Sequence, residues 1–298
     1  MPRSPKAPTL ESPTLLLKRT PYGESSLVVH ALTESGDRVQ LIAKGAYRPK
    51  SRYAGVLDWF DTLRLGWVMP RKEGADLGIL HVGSVEVRRR LITRSIAAYR
   101  GAQTMVELID VCTRSSAAER GLYRLLEAGL DALNVEQPRV LELLSAFELH
   151  LLAELGLPPA LRVCAVCGGE APEVVVPGGT EPRAAFSAQL GGRLCPYHAE
   201  EAHRQGARVG TMPRRVLETA ADWLERPFPV AGAASPLPRA GHEPSTLAND
   251  PPLAGLAERV LDFTGRFLDH HLETRPRSHA RFLSAPDRNR RTAGPTSR

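Results

Sequence analysis

The sequence has few aromatic side chains, few cysteines and no long apolar run, and each scarcity narrows the class of protein. Aromatic residues make up 5% of the 298 residues, so we expect cores rich in Leu, Val and Ala. No window approaches the ~18 consecutive apolar residues of a membrane helix, and the N-terminal segment lacks the apolar stretch of a signal peptide. We therefore expect a cytoplasmic protein, in which the four cysteines are reduced or metal-bound rather than joined in disulfides.

The charge is unevenly distributed along the chain. The formal net charge is +6, but residues 1–110 carry 17 Lys or Arg against 11 Asp or Glu, residues 111–274 carry 15 against 21, and residues 275–298 carry 7 against 1. The N-terminal part is thus basic, the middle part acidic and the short C-terminal part basic. This distribution excludes a uniformly basic surface and indicates that the chain is divided into segments. The hydrophobic fraction of 42% suffices for packed cores and argues against global disorder.

The first 90 residues have the pattern of short β-strands. Runs of β-type residues occupy 14–20, 25–33, 38–46, 56–68 and 78–87, and a turn sequence at 34–37 separates the second run from the third. The connections are too short for the crossover helices of a dinucleotide-binding fold. Five short strands in this length predict a small closed barrel.

After residue 90, apolar residues recur with the spacing of amphipathic helices. The spacing predicts helices at 95–112, 117–133, 138–155, 212–225 and 253–272. The predicted fold class is therefore α+β and multidomain. The barrel covers 1–90, the helical domain 91–160 and 211–283, and a cysteine-containing insertion 161–210. A Pro/Gly-rich linker at 227–252 interrupts the second helical part, and an Arg-rich tail at 284–298 is predicted to be disordered.

The insertion carries a pattern of metal ligands. Cys164 and Cys167 form a C-x2-C pair, and 27 residues later Cys195 and His198 form a C-x2-H pair. Two such turns supply the four vertices of a tetrahedral zinc site with no open position, which is a structural rather than a catalytic arrangement. The alternatives are a redox C-x-x-C pair or unrelated buried cysteines. His203 competes with His198 as the fourth ligand, at a less suitable spacing. We interpret Cys112, on a helical apolar face, as a core residue.

A basic loop follows the third predicted strand. Residues 44–53, KGAYRPKSRY, contain four positive charges, no acid and two tyrosines. On a small barrel, such loops hold single strands, with basic side chains on phosphates and aromatic rings under bases. The candidate DNA-binding residues are Lys44, Tyr47, Arg48, Lys50 and Arg52. The alternative is an ordinary solvated loop. The arginines at 88–90 either extend this track or form a solvated strand end.

Two other classes of function remain open from the residues alone. A metal-dependent nuclease needs an open metal site or carboxylates that point at one metal. Asp58 and Asp61 lie three residues apart in a β-rich run, and this spacing does not clearly bring their side chains together. The sequence contains no phosphate-binding Walker loop, H-E-x-x-H or G-x-S-x-G motif. The third possibility is a protein-interaction scaffold, in which the acidic helical middle binds a partner.

Four segments in order resemble the RecO family of bacterial recombination mediators. They are KRTPYGESSLVV at 18–29, KGAYRPKSRYAG at 44–55, FELHLLAELG at 147–156 and the closing segment at 267–283. The order of these motifs is more specific than any one of them. The resemblance covers most of residues 14–283.

The resemblance implies an N-terminal OB-fold, a helical domain and a zinc-binding insertion. It also implies a protein without enzymatic activity that binds single- and double-stranded DNA and anneals complementary strands. Such a protein, with RecR, helps load RecA onto strands coated with single-strand-binding protein, and it works at the nucleoid. The family's four-cysteine zinc pattern is matched at Cys164, Cys167 and Cys195, whereas His198 replaces the fourth cysteine.

Overall fold

A computed structural model describes residues 9–70, 76–113, 120–136, 138–173, 181–228 and 253–272. The predicted tail at 284–298 lies outside the described residues, as does the predicted linker at 227–252 beyond its first two residues. Within the described part of the chain, the helices are too short or too polar to cross a membrane.

Five strands form the closed barrel that the sequence predicts. They are β1 (Thr9–Tyr22), β2 (Ser26–Thr33), β3 (Arg38–Ala43), β4 (Thr62–Val68) and β5 (Leu77–Val87), in the closed order β1-β2-β3-β5-β4. Only β3 and β5 are parallel among these pairs. β1 is long enough to pair with β4 along its first half and with β2 along its second, and a bulge between Leu16 and Lys18 lets it bend. This is an OB-type barrel.

The apolar run in β1 shows how the barrel is joined to the rest of the molecule. Leu16 lies in the barrel core with Val29 and Leu41, whereas its neighbours Leu15 and Leu17 belong to the core formed with the helices. Side chains alternate between the two faces of a strand, and both faces of β1 are covered. The strand therefore has a continuous apolar run instead of alternation.

The predicted strand at 56–68 is wrong in its first half, because regular pairing starts only at Thr62. Residues 56–61 form turns, in which Phe60 has a positive φ of 71°. Leu57 is buried in the barrel core, whereas Phe60 is buried in the helical core. Burial of these side chains produces a strand-like apolar pattern in an irregular segment. The third strand likewise ends at Ala43, before the basic loop.

The helical domain is built around one central helix. After a short 3-10 turn (Ile92–Arg94), the chain forms α1 (Ile96–Cys112), α2 (Arg120–Leu133) and α3 (Val140–Glu154), and later α5 (Arg214–Glu225) and α6 (Leu253–His271). α3 packs against α1, α2, α5 and α6, so it is apolar on nearly every side. Gly129 permits the close approach of α2, since a Cβ there would lie 2.9 Å from Met105 Sδ. Cys112 is buried in this core, as predicted.

A small module lies between α3 and α5. It consists of β6 (Arg183–Ser187), β7 (Gly192–Leu194), α4 (Pro196–Arg204) and β8 (Gly210–Pro213), with β6 in the centre of the sheet. The module packs on α6, where the rings of Phe186 and Phe263 meet edge to face with centroids 5.0 Å apart.

Three ion pairs join the barrel to the helices among the described residues. The pair of Arg120 with Glu34, at 3.2 Å, is exposed, and the other two are more buried. Arg89, whose side chain has no solvent exposure, donates from Nε to Asp131 Oδ1 at 2.6 Å and from a terminal nitrogen to the Phe60 carbonyl at 2.9 Å. Arg38 of β3 pairs with Asp110 of α1 at 2.6 Å. The alternative that residues 88–90 extend the DNA track is therefore wrong for Arg89, which is enclosed in the interface between the barrel and α2.

Candidate nucleic-acid interface and metal centre

The basic loop is held in a defined shape by its own backbone. Gly45 and Lys50 have positive φ values of 71° and 62°, and the Arg48 amide donates to the Gly45 carbonyl at 3.1 Å. The Tyr47 amide donates to the carbonyl of Ser25, in the turn between β1 and β2, at 2.9 Å. Residues 44–53 thus form a chain of turns attached to the barrel, so their side chains project from a fixed base.

All five predicted DNA-binding residues are exposed: Lys44, Tyr47, Arg48, Lys50 and Arg52. Tyr47 is 51% exposed. Among the described residues, the side chains of Lys44, Arg48 and Lys50 form no ion pair.

The rest of the loop is less free. Arg52 donates to the His81 carbonyl at 2.8 Å and lies 5.5 Å from the centroid of the Tyr53 ring. Tyr53 is 4% exposed and donates its hydroxyl to the Leu80 carbonyl at 2.7 Å. Burial raises the pKa of Tyr53, and the nearby Arg52 charge opposes that shift. Of the two tyrosines in the loop, only Tyr47 is therefore available to a ligand.

Other arginines of the barrel are engaged with carboxylates. Arg64 pairs with Glu86 at 2.5 Å, Arg88 with Asp61 at 3.2 Å, and Arg19 with Asp58 at 3.5 Å. These pairs cancel charge locally, whereas the charges of the loop have no neighbouring acid in sequence. The positive side chains of Lys44, Arg48 and Lys50, which form no ion pair among the described residues, are therefore grouped in this one loop.

The predicted metal ligands lie together in the small module. Ligand atoms of Cys164, Cys167, Cys195 and His198 all lie within 4.8 Å of one another. The first pair sits in a tight turn, in which the Gly168 amide donates to the Cys164 carbonyl at 2.8 Å. Cys195 is the N-cap of α4 and His198 lies in its first turn, so the helix brings both ligands to the same side.

The donor set fits a tetrahedral metal ion. His198 directs Nδ1 at the thiols, 3.1 Å from Cys195 Sγ and 3.6 Å from Cys164 Sγ. In a tetrahedral zinc site with a Zn–S bond of ~2.3 Å and a Zn–N bond of ~2.05 Å, the nitrogen and a sulfur are about 3.6 Å apart. The contact of His198 with Cys164 has this length and the contact with Cys195 is shorter, and all four ligand atoms are close enough together to surround one ion. The competing candidate, His203, is not part of the cluster.

Local hydrogen bonds prepare one thiol for metal binding. Burial opposes ionisation of Cys164, but the backbone amides of Cys167, Cys195 and Val166 outweigh it and lower the pKa of that thiol to about 6. The Gly169 amide favours ionisation of Cys167, but the neighbouring thiols prevail and raise the pKa of Cys167. A thiolate is the form that binds a metal, and Cys164 is the more readily ionised of these two thiols.

The carboxylates that a nuclease would need do not converge. Asp58 is exposed and pairs with Arg19, whereas Asp61 is buried and accepts the Arg89 amide at 2.8 Å. Within the described ranges, the Cys/His cluster is the one group of three or more His, Cys, Asp or Glu side chains placed to hold a metal ion. Among the described residues, Asp58 and Asp61 do not form the converging pair that the nuclease alternative would need.

Two family models match this chain, one over the barrel and the other over most of the remaining described residues. The family model "Recombination protein O N terminal" matches residues 9–86, which form the barrel, and "Recombination protein O C terminal" matches residues 94–225. The chain belongs to the RecO family. The resemblance expected from the sequence motifs is thus confirmed, and RecO membership implies a role in DNA repair and recombination.

Individual relatives agree with the family match. The chain is 33% identical over 268 residues to the DNA repair protein RecO of Anaeromyxobacter sp. (strain K), covering 88% of this chain and 91% of that protein. It is 32% identical over 188 residues to the DNA repair protein RecO of Exiguobacterium sibiricum, covering 63% and 69%. It is 34% identical over 186 residues to the DNA repair protein RecO of Myxococcus xanthus, covering 61% of this chain and 69% of that protein.

Proposed function

We propose that this RecO protein is a non-enzymatic recombination mediator that binds single- and double-stranded DNA and anneals complementary strands. With RecR, it helps load RecA onto strands coated with single-strand-binding protein. The observation that carries the proposal is the concentration of exposed, uncompensated charge on residues 44–52 of the OB-type barrel. Family membership supports the same role.

Electrostatic capture of the DNA backbone is the proposed mechanism. Lys44, Arg48 and Lys50 neutralise phosphates and release condensed counterions, and this electrostatic part of the binding is independent of sequence and sensitive to salt. Tyr47 supplies a face on which an unpaired base stacks. Two strands held near this surface repel each other less, so complementary segments pair faster.

The acidic helical part, whose residues 111–274 carry a net charge of −6, serves protein partners rather than DNA in this proposal. An apolar cleft of about 730 Å³ lies between the small module and α6, lined in part by Phe186, Met212 and Phe263. Its size and apolar lining are suited to a terminal peptide, and we assign it to single-strand-binding protein. Loss of capture when that partner lacks its C-terminal tail is the expected result of a pull-down experiment.

We further propose that Cys164, Cys167, Cys195 and His198 hold Zn²⁺ in a structural role. Four protein ligands leave no open position for water or substrate. The ion joins the turn at residue 164 to the start of α4, which stabilises a module with a small core of its own. We place the protein in the cytoplasm, at the nucleoid.

Strand annealing by the purified full-length chain, measured across a salt series, tests the proposal. We expect annealing that is fastest at low salt and falls as salt rises, with zinc bound in the same sample. Strand annealing no faster than the uncatalysed rate at any salt concentration would contradict the proposed activity. Cleavage of DNA after addition of Mg²⁺ or Mn²⁺ would favour the nuclease alternative instead.

A further inference from the structure

A small cleft opens beside the basic loop, on the barrel surface. Its volume is about 200 Å³, below the ~300–1,000 Å³ of pockets that hold drug-sized ligands, so it suits a single ring system. Leu27 and Leu57 contribute to its lining and are 2% and 5% exposed, which makes the base of the cleft apolar. Tyr47 and Tyr53 also line the cleft, and of the two only Tyr47 is exposed. An apolar base with one accessible aromatic ring is suited to a flat, aromatic ligand.

The cleft also contains one polar pair, Arg19 and Asp58, with 3.5 Å between the guanidinium and the carboxylate. The Asp58 side chain is 60% exposed, so its oxygens are accessible to a ligand, and the Arg19 side chain is 26% exposed. A carboxylate this close to the basic loop weakens phosphate binding. A nucleic acid instead gains from such a group when the group accepts hydrogen bonds from the N–H donors of a base.

We propose that this cleft binds one unpaired guanine of a DNA strand, with Asp58 as the residue that determines specificity. This inference rests on the DNA binding proposed above. Guanine presents two adjacent donors, N1–H and the 2-amino group, which match the two oxygens of a carboxylate. Arg19 donates to the neighbouring O6, and Tyr47 stacks on the exposed face of the ring.

The other three bases lack this match. Adenine and cytosine each place a ring acceptor beside their single amino donor, and that acceptor would face the Asp58 carboxylate with no proton between them. Thymine has one N–H between two carbonyl oxygens, so both flanking groups would be repelled. Discrimination for guanine follows from the positions of these donors and not from overall charge.

Binding of dT oligonucleotides that carry one substituted position, measured by fluorescence anisotropy, tests the inference on the full-length protein. We expect one dG to increase affinity about fivefold over all-dT, near the lower end of what a bidentate base contact provides. Inosine, which lacks the 2-amino group, should lose most of this gain. 7-Deazaguanine retains the Watson–Crick edge and should keep it. Equal affinity for dG, inosine and dT would overturn the inference. That result would instead favour a cleft that holds a side chain of a partner protein.

Substitution of the protein separates this inference from the general binding activity. Asp58→Asn should abolish the preference for dG while binding of all-dT is retained or strengthened. Glu24→Gln is the matched control, because Glu24 is an exposed acid on the barrel outside the cleft, and this variant should keep the preference. Wild-type protein that binds all-dT without preferring dG refutes the guanine site alone, whereas failure to bind any oligonucleotide refutes the proposed function itself.

Discussion

Removing the free charges of the basic loop should reduce the salt dependence of DNA binding by a calculable amount. For single strands, each phosphate contact contributes about −0.7 to the slope of log K against log salt. Lys44, Arg48 and Lys50 are exposed and form no ion pair within the described residues. Their combined removal should therefore make the slope about 2.1 less steep, and Arg48→Ala alone about 0.7 less steep.

The experiment needs substitutions that the loop tolerates. Lys44→Ala and Arg48→Ala remove charge at ordinary backbone positions, whereas Lys50 has a φ of 62°, so Lys50→Asn is better suited there because Asn accepts a left-handed backbone. Anisotropy titration of a labelled dT oligonucleotide across a salt series gives the slope for each variant. Circular dichroism confirms that each variant is folded.

Arg64→Ala provides the matched control on the same barrel. Arg64 pairs with Glu86 at 2.5 Å and lies 3.8 Å from Glu11, so it is not available to a phosphate. Its removal changes net charge by the same amount as Arg48→Ala but should leave the slope nearly unchanged. Equal slopes for the triple variant and the wild type would refute the assignment of phosphate contacts to the loop. Equal effects of Arg48→Ala and Arg64→Ala would show that only net charge matters.

Three further outcomes are expected. Arg89→Ala should lower the free energy of unfolding by about 3 kcal/mol in urea denaturation, because it leaves Asp131 without its partner in a buried interface. Arg120→Ala, at the exposed pair with Glu34 across the same interface, should cost below about 1 kcal/mol, and equal losses would contradict this interpretation. Burial lowers the pKa of His150, so the unfolded chain takes up a proton at a higher pH than the folded chain does, and the free energy of unfolding should fall as the pH drops below 6.5. In urea denaturation at several pH values, His150→Leu should flatten this pH dependence, and an unchanged pH dependence would contradict the prediction. His198→Ala should lose bound zinc and hydrogen-exchange protection in the small module but not in the barrel, whereas His198→Cys should retain both. Zinc retained by His198→Ala would exclude His198 as a ligand.

Local spacing in the sequence was enough for much of the site. Cys164 and Cys167 are predicted together because a C-x2-C turn by itself places two thiols on one side, and the structure brings Cys195 and His198 to them. The exposed loop could likewise be predicted, since four charges without an acid in ten residues are costly to bury. The helices could also be predicted, because an apolar residue at every third or fourth position indicates a helix with one buried face.

Other features depended on partners that are distant in the sequence. The residues that neighbour Arg89 in the sequence do not indicate that it is buried, because its partner Asp131 lies 42 residues further along the chain, on α2. Tyr47 and Tyr53 look equivalent in the sequence, yet only the fold supplies the Leu80 carbonyl that holds Tyr53 inside the barrel. Residues 56–61 show a strand-like pattern because they are buried by two different cores.

The sequence by itself determined the barrel, the helices, the ligand pairs and the basic loop, since each is encoded by periodicity or spacing within a short segment. Only the tertiary structure decided which charges remain free, which aromatic ring faces a ligand, and that Arg19, Tyr47 and Asp58 line one cleft. These three residues come from a strand, a loop and a turn whose proximity follows from closure of the barrel. Burial and pairing are properties of contacts between segments, and such contacts exist only once the chain has folded.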